Sequence, residues 1–441
     1  MSTLSVSAAA SASAGPAVTL SAAGRRAQSP QITRLMTTAL QTPGLLSLAA
    51  GFTDNHTLPL AAVQSAVATL AREGAADPEF LQYGTNQGRP GLRRLLAARL
   101  AAKEPSLDAD ALAARTFVTN GSQQALYLAI QVLCEPGDIV LVDRPSYFVF
   151  LELLQGMGVR ALSIPVDDAG LVDGEALRAR LRQLRAGGER ARLKAVYFVS
   201  CFSNPSGRTL TLAEKETLAD ALVAEDCVVP VIEDAAYREL WYNRPPAAPG
   251  VLTLPQWSAF PRLYLETLTK TFASGLKTGW GVCTDDRWLH VMLHTKGHQD
   301  FGTANFSQAI CEHALASGAF ERQLAAIRPT YAAKMRMLHE TLHDAGLAAR
   351  GWRWSEPEGG LYLWLRAPEG TDTGMESAFC KACLREGVLY VPGDLCFGDD
   401  VPKNHVRLSY GVLAGDALRE AGRRFARAAG CGKTFEQKPR R

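Results

Sequence analysis

The sequence predicts an α/β fold: a mostly parallel central sheet flanked by helices, plus a smaller α+β domain. Its apolar runs of four or five residues lack the alternation of half-buried strands, so both faces of these strands are expected to be covered. Amphipathic segments separate the runs, which is typical of a parallel sheet with helical crossovers. After about residue 315 the order of elements changes, and this change indicates the second domain.

In the larger domain, the predicted strands and helices alternate along the chain. Strand-like runs occupy residues 116–119, 139–142, 195–199, 228–232 and 262–265, and helical spacing occupies residues 122–134, 147–157 and 212–225. A long helical pattern then runs from about residue 305 to residue 345. The smaller domain is predicted to contain strands at residues 359–365, 388–391 and 406–408, and helices at 375–386 and near 415–429.

A chain of 441 residues is expected to divide into domains, because a single hydrophobic core stops growing at roughly 250–300 residues. The predicted parts are a disordered Ser/Ala-rich tail at 1–24, an N-terminal segment of the small domain at 25–75, the large domain at 76–315, the small C-terminal domain at 316–430 and a basic tail at 431–441.

The composition is that of an ordinary globular protein. Basic residues number 47 and acidic residues 44, so the net charge of +3 gives no electrostatic reason to expect a nucleic-acid or membrane partner. No apolar run approaches the roughly 18 residues of a membrane span, and no charged signal-peptide region is recognisable. The nine cysteines are irregularly spaced and several lie in apolar runs, which favours reduced thiols in a cytoplasmic protein.

Three motifs resemble metal sites, but each has a simpler explanation. Residues 339–343 have the H-E-x-x-H pattern of zinc peptidases, yet they continue a plain amphipathic helix, and the nearest downstream acids lie in a turn. The C-x-x-C pattern at 380–383 has no second pair and indicates a buried helix face. The three histidines between residues 290 and 298 indicate a solvated helix face. We therefore predict no metal site, and a zinc peptidase is the weakest alternative function.

Polar and charged residues follow the predicted strands at several points. Lys270 comes after a buried strand, with threonine hydroxyls three and one residues before it, as suits a lysine that forms a Schiff base beside a phosphate. Residues 120–123, Asn-Gly-Ser-Gln, open a helix whose backbone N–H groups can bind an anion. Asp234 and Tyr237 end another strand, and the turn at 203–207 ends a third. Because open α/β folds bind ligands at the carboxyl ends of their strands, we expect one cofactor site there.

These residues resemble the class I/II aminotransferases of pyridoxal-phosphate fold type I, most closely the branch of 2-aminoadipate, kynurenine and aromatic aminotransferases. The resemblance covers roughly residues 28 to 429 and implies that the large domain binds pyridoxal 5′-phosphate. The motifs that carry it are L-A-A-G at 48–51, L-Q-Y-G-T-N-Q-G at 81–88, T-N-G-S-Q-Q-A-L at 119–126, D-R-P-S-Y at 143–147, S-N-P-S-G at 203–207, E-D-A-A-Y at 233–237, Lys270, G-G at 359–360, V-P-G at 391–393 and V-R-L-S at 406–409.

The resemblance implies catalytic roles for Lys270, Asp234 and Tyr237. Lys270 would form a Schiff base with the cofactor and, once released, move the proton between the substrate Cα and the cofactor. Asp234 would pair with the pyridine nitrogen and keep it protonated. Tyr237 and Asn204 would hydrogen-bond the ring hydroxyl, and Tyr147 would stack on the ring face.

The same resemblance implies how the phosphate and the substrate are held. The phosphate would be bound by Gly121, Ser122, Gln123, Thr267, Thr269 and Lys277, with Tyr83 reaching it from the neighbouring subunit of a homodimer. The substrate would contact Arg407, Gly51, Asn204 and Arg34, and Arg407 would hold its α-carboxylate as a bidentate pair. The sequence departs from the family at Lys277, where arginine is usual, and at Phe148, where a small residue is usual.

The sequence therefore predicts a homodimeric, pyridoxal-phosphate-dependent aminotransferase of amino acid metabolism or biosynthesis, which moves an amino group from an L-amino acid to a 2-oxo acid. One alternative keeps the cofactor and changes the reaction to elimination by a lyase or to oxidation, including enzymes that act on S-adenosylmethionine. Another alternative is a transcription regulator that uses this domain as a ligand sensor. Such a regulator needs an N-terminal DNA-binding domain, and the aminotransferase pattern begins near residue 30.

Overall fold

A computed structural model describes residues 18–27, 29–413 and 415–431 of the chain. Its strands are β1 (Leu46–Ser47), β2 (Thr116–Asn120), β3 (Ile139–Val142), β4 (Arg160–Ser163), β5 (Leu193–Val199), β6 (Val231–Asp234), β7 (Arg262–Thr267), β8 (Thr278–Cys283), β9 (Arg353–Trp354), β10 (Tyr362–Arg366), β11 (Val388–Leu389), β12 (Val391–Pro392) and β13 (His405–Ser409).

The helices of the described chain lie before, between and after these strands. They are α1 (Ala22–Arg26), α2 (Gln31–Gln41), α3 (Leu60–Glu73), α4 (Pro90–Lys103), α5 (Ala109–Arg115), α6 (Gly121–Leu133), α7 (Phe148–Met157), α8 (Gly174–Ala186), α9 (Leu212–Ala224), α10 (Asp286–Asp300), α11 (Asn305–Ala316), α12 (Ala319–Asp344), α13 (Ala378–Arg385) and α14 (Gly415–Cys431). Of the predicted tails, residues 1–17 and 432–441 lie outside the described residues, and the predicted boundary at residue 24 falls inside α1.

The large domain is built on a seven-stranded sheet in the order β2-β8-β7-β6-β5-β3-β4. β8 is antiparallel to both of its neighbours and the other pairs are parallel, which confirms the predicted mostly parallel sheet. Leu126 of α6 and Phe150 of α7 belong to one hydrophobic core, and Leu177 of α8 and Leu222 of α9 belong to another. The residues of β3 and β6 are all buried, so these strands need no alternation of polar and apolar residues.

The small domain combines the antiparallel sheet β12-β13-β10-β9 with the parallel pair β1-β11. Leu338 of α12, Leu363 of β10 and Phe425 of α14 share a core with Leu48, which directly follows β1. The predicted N-terminal segment 25–75 contacts both domains, because α3 packs against α11 and the core of the large domain. This segment therefore links the two domains from one side.

Three predicted elements differ from the observed ones for local reasons. The helical pattern at 305–345 is divided into α11 and α12 by Gly318, whose φ of 70° lies in the left-handed region. The strand predicted at 228–232 begins only at Val231, after a proline. The strand predicted at 359–365 begins at Tyr362, because Gly360 has a φ of 80°, where a Cβ would lie 2.9 Å from the Phe202 carbonyl oxygen.

Two of the three motifs that resembled metal sites have structural partners, and the histidines of the third, between residues 290 and 298, are exposed. The Trp354 indole donates a hydrogen bond to His339 Nδ1 at 3.1 Å, and Cys380 and Cys383 are buried in the core of the small domain. Among the described residues, no three His, Cys, Asp or Glu side chains are grouped as metal ligands. The eight cysteines whose side chains are described are free thiols. Within residues 18–27, 29–413 and 415–431, no helix is long and apolar enough to cross a bilayer.

Candidate active site

The predicted site residues of the large domain lie at one edge of the central sheet. Asp234 is the last residue of β6, Lys270 follows β7, and Asn204 follows β5. Tyr147 precedes α7 on the connection from β3, and Gly121 opens α6 directly after β2. Because these strands all point the same way, their carboxyl ends meet at the edge where open α/β folds bind ligands.

The Lys270 amine points to the backbone of the N-terminal segment. Its Nζ donates a hydrogen bond to the Gly51 carbonyl at 2.6 Å. Burial lowers the pKa of Lys270 below its ordinary value, and the positive charges of Arg407 and Lys277 act in the same direction, while the Tyr362 phenol opposes them. A lower pKa increases the fraction of neutral amine, which is the form that attacks a carbonyl carbon.

Asp234 is a buried carboxylate that receives two hydrogen bonds. Its Oδ1 accepts from the Ala236 backbone N–H at 3.0 Å, and its Oδ2 accepts from the Tyr197 hydroxyl at 3.2 Å. The residue is 4% exposed, and burial raises the pKa of its carboxyl to about 6. Asp234 is therefore an anion above that pH, in a position that suits a ligand carrying a positively charged ring nitrogen.

Tyr237 forms a pair with Tyr362, a residue to which the sequence reasoning gave no role. The two hydroxyls lie 3.0 Å apart, and the rings meet edge to face at 5.7 Å. Burial raises the pKa of Tyr237 well above its ordinary value, so its hydroxyl stays neutral and able to donate. A Cβ at Gly51 would lie 3.0 Å from the Tyr362 hydroxyl, so this glycine gives the pair its space.

Arg407 is a buried guanidinium in β13 of the small domain. Its Nη1 donates to Asn204 Oδ1 at 2.9 Å and its Nη2 donates to the Ala49 carbonyl, while the buried Nε has no hydrogen-bond partner. The guanidinium carbon lies 4.4 Å from the centre of the Tyr362 ring and 5.4 Å from that of Phe148. A buried cation with a free donor favours an anionic ligand, and a carboxylate matches the planar fork.

The residues predicted to bind the phosphate lie around the N-terminus of α6. Gly121 has a φ of 70°, and a Cβ there would lie 3.9 Å from both the Lys277 carbonyl and Thr269 Oγ1. Thr267 Oγ1 donates to Thr269 Oγ1 at 2.8 Å, which brings the two predicted hydroxyls together. Ser122 lies beside β8, where its backbone N would be 2.3 Å from a Cβ at Gly279. These contacts bring the start of α6 close to the two threonine hydroxyls and to the backbone of Lys277.

The residues present fit pyridoxal phosphate, the cofactor that the resemblance implies. The first turn of α6 contains no acidic residue and no side-chain cap, so its N–H groups suit a phosphate. Gln123 Oε1 is buried without a hydrogen-bond partner. The N-terminus of α6, the Asp234 carboxylate and the Lys270 amine match the phosphate, the ring nitrogen and the aldehyde of the cofactor.

Three further predicted site residues, Tyr83, Arg34 and Tyr147, differ in their exposure and contacts. Tyr83 is 77% exposed and packs edge-on against Phe301 at 5.5 Å, so its ring faces solvent within this chain. Arg34 lies on α2 and pairs with Glu376 at 3.5 Å. Tyr147 is half-buried, and burial, with Tyr362 and Asp234 nearby, raises the pKa of its phenol.

Comparisons with known proteins agree with this geometry. The profile of the family aminotransferase class I and II matches residues 44–424. The chain is 29% identical over 392 residues to aromatic-amino-acid aminotransferase 1 of Thermococcus litoralis, covering 88% of each chain. It is 29% identical to the 2-aminoadipate transaminase of Thermus thermophilus, covering 88% of this chain and 91% of that one. The kynurenine aminotransferase of Pyrococcus horikoshii, solved in complex with PMP, superposes with a TM-score of 0.81 at 27% identity, covering 95% of this chain and 98% of that chain.

The family match spans both domains and includes Lys270 and the buried side chains of Asp234 and Arg407. Both relatives are an aminotransferase or a transaminase, and the Pyrococcus horikoshii structure contains PMP. The comparisons give no support to elimination or oxidation. The chain belongs to the class I and II aminotransferases and is a pyridoxal-phosphate-dependent transaminase of fold type I.

Proposed function

We propose that this enzyme transfers the amino group of an L-amino acid to a 2-oxo acid, with Lys270 as the residue that holds the cofactor and moves the proton. When bound, pyridoxal phosphate supplies an aldehyde that accepts the amino group and a ring that takes up electrons. The observation that carries the proposal is the half-buried Lys270 amine, whose pKa is lowered, at the sheet edge where Asp234 also lies and where Arg407 of the small domain contacts Asn204. Its neutral Nζ takes the proton from the substrate Cα.

The other residues of the large domain hold the cofactor in this proposal. Asp234 pairs with the ring nitrogen, Tyr237 and Asn204 bind the ring hydroxyl, and Tyr147 stacks on the ring. The phosphate is bound by Gly121, Ser122, Gln123, Thr267, Thr269 and Lys277. The support is the uncapped helix N-terminus beside two linked threonine hydroxyls.

The substrate is held mainly by the small domain and the N-terminal segment. Arg407 binds the α-carboxylate, because its buried Nε lacks a partner and two aromatic rings keep the guanidinium in one plane. Asn204 orients Arg407 through the 2.9 Å hydrogen bond. Gly51 leaves space beside the pair of tyrosines, and Arg34 contacts the substrate side chain from α2.

The proposed reaction makes a specific prediction about its first half. When the loaded enzyme is mixed with an amino acid and no 2-oxo acid, we expect one equivalent of pyridoxamine phosphate per active site and no further product. The cause is that the cofactor keeps the amino group until an acceptor arrives. Absorbance and product chromatography measure both amounts. Continued turnover without an acceptor would contradict transamination as the main reaction.

The exposed Tyr83 supports a homodimer with shared active sites. Its ring is 77% exposed and lies beside Phe301, which is 65% exposed, and Leu81 nearby is 67% exposed. A second copy of this chain would cover these residues and bring Tyr83 to the phosphate of the opposite site.

Mixing two variants tests this shared site. Lys270→Ala lacks the proton-moving amine, and Tyr83→Ala lacks the residue that the opposite site requires. After subunit exchange, we expect activity at low cofactor concentration, because each mixed dimer contains one site with both residues intact. Native mass spectrometry checks that mixed dimers form. If mixed dimers form and remain as inactive as the parents, Tyr83 does not act across the interface.

A further inference from the structure

Tyr197 lies on β5, the strand next to that of Asp234, and contacts the Asp234 carboxylate. No role has been assigned to it so far. The residue is fully buried, and its hydroxyl donates to Asp234 Oδ2 at 3.2 Å. Its ring packs against that of Phe150 of α7, tilted by 32° with centroids 3.9 Å apart, and its carbonyl accepts from the Asp143 N–H at 3.1 Å. The phenol is therefore held in place from both its ring and its backbone.

The surroundings of Asp234 disfavour a negative charge. The titratable groups that act on it are Glu233 of the same strand, Asp143 after β3, Tyr147 before α7 and Tyr197 of β5. Glu233 and Asp143 are themselves acids, and the buried site offers little water. Each of these two acids has its own donors, Lys215 and Val251 for Glu233 and Ser146 and Val199 for Asp143.

Two hydrogen bonds offset this unfavourable environment. One comes from the Ala236 backbone N–H, which any residue at that position except proline would supply. The other comes from the Tyr197 hydroxyl, which depends on the side chain. A hydrogen bond to an ionised acceptor is worth more than a neutral one, because the donor stabilises the charge itself.

We propose that Tyr197 is a positioning residue that keeps Asp234 ionised and oriented toward the cofactor ring nitrogen, an inference that rests on the proposed role of Asp234. The pKa of Asp234 is already raised to about 6 by burial. Loss of the hydroxyl raises that pKa further, since the anion loses a donor. The anion then becomes scarce near pH 6, makes up a smaller fraction at neutral pH and is restored at higher pH. Because cofactor binding requires the Asp234 anion, the affinity for pyridoxal phosphate is expected to depend on pH in the same way as the ionised fraction.

The test is the affinity of the apo protein for pyridoxal phosphate as a function of pH, measured by fluorescence titration of wild type and Tyr197→Phe. Phenylalanine keeps the ring on Phe150 and removes only the hydroxyl. We expect binding to be weakened about fivefold at pH 6 and unchanged at pH 9, the result of a pKa moved upward by about one. The phosphate of pyridoxal phosphate titrates in the same way in both measurements. The ratio of the dissociation constants of Tyr197→Phe and wild type therefore reflects only the difference between the two proteins.

Two further variants separate the possible outcomes. Tyr390→Phe removes another buried hydroxyl, which donates to the Thr373 carbonyl at 2.7 Å in the small domain. The ratio of its dissociation constant to that of wild type is expected to be one at every pH. Asp234→Asn is expected to weaken binding at every pH. If Asp234→Asn binds like wild type, the proposed role of Asp234 is wrong. If it binds weakly while Tyr197→Phe shows no change, or the same change at every pH, only the role of Tyr197 is overturned.

Discussion

Replacement of Lys270 by alanine is expected to lower the rate of transamination by a factor of at least about 10³, because the amine that moves the proton is lost. In wild type, borohydride reduction of the loaded enzyme is expected to add the mass of the cofactor to the peptide that contains Lys270. Peptide mass spectrometry measures the label, and the rate of 2-oxo acid formation from an amino donor measures the reaction. The variant is expected to carry no label.

Lys403→Ala is the matched control for this experiment. The Lys403 side chain is 62% exposed and pairs with Asp394 at 2.9 Å, and it has no role in the proposed site, so rate and labelling are expected to match wild type. A label on Lys277, or a Lys270→Ala enzyme with the wild-type rate, would show that a different amine holds the cofactor. Lys277 is the informative competitor, because its positive charge contributes to the lowered pKa of Lys270.

Replacement of Arg407 by alanine is expected to lower kcat/KM for an amino acid by about 10² to 10³, the usual cost of removing one partner from a buried charge pair. The loss arises because the substrate carboxylate loses its proposed partner, the guanidinium that packs against the rings of Tyr362 and Phe148. Arg407→Lys is expected to recover only part of the loss, since lysine keeps the charge and lacks the planar fork. Steady-state kinetics measures both variants.

A pair of substrates distinguishes a lost carboxylate contact from a damaged site. Wild type is expected to prefer an amino acid strongly over the amine that lacks its α-carboxylate. In Arg407→Ala this preference is expected to disappear, because the two substrates then make the same contacts. If the variant still prefers the amino acid by the wild-type factor, the carboxylate binds elsewhere. The rate with the amine also shows whether Asn204, which loses its 2.9 Å hydrogen bond, still supports the reaction.

The parts of the site that could be predicted are those encoded by short local patterns. β3 was expected at residues 139–142 and lies there, because an uninterrupted run of β-branched and apolar residues fits a strand covered on both faces. Lys270 and Asp234 were expected at the edge of the sheet, since each follows such a run. Arg407 was expected only through the resemblance to a family, because it lies inside a strand of the small domain and no local pattern distinguishes it from a structural arginine.

Other features depend on contacts between segments that are distant in the sequence, and the spacing of residues does not predict such contacts. Tyr197 and Tyr362 are aromatic residues in or at the start of buried strands, and such residues are common in any core. Their role depends on which face they occupy and on what lies 3 Å from the hydroxyl. The sequence also did not indicate which domain α3 contacts, because the apolar stripe of an amphipathic helix can pack against either hydrophobic core. The residues lining the phosphate site came from motifs, but their meeting required the pairing of β8 with β2 and β7.

The N-terminal segment accepts two hydrogen bonds from basic side chains of the site. The Ala49 carbonyl accepts from Arg407, and the Gly51 carbonyl accepts from Lys270. Carbonyls two residues apart on one chain are separated by at most about 7 Å, even when the backbone is fully extended. Two basic side chains, one from each domain, are thus hydrogen-bonded to one short piece of backbone. A displacement of residues 49–51 would therefore disturb both at once, so this piece of backbone couples the position of the Arg407 guanidinium to that of the Lys270 amine.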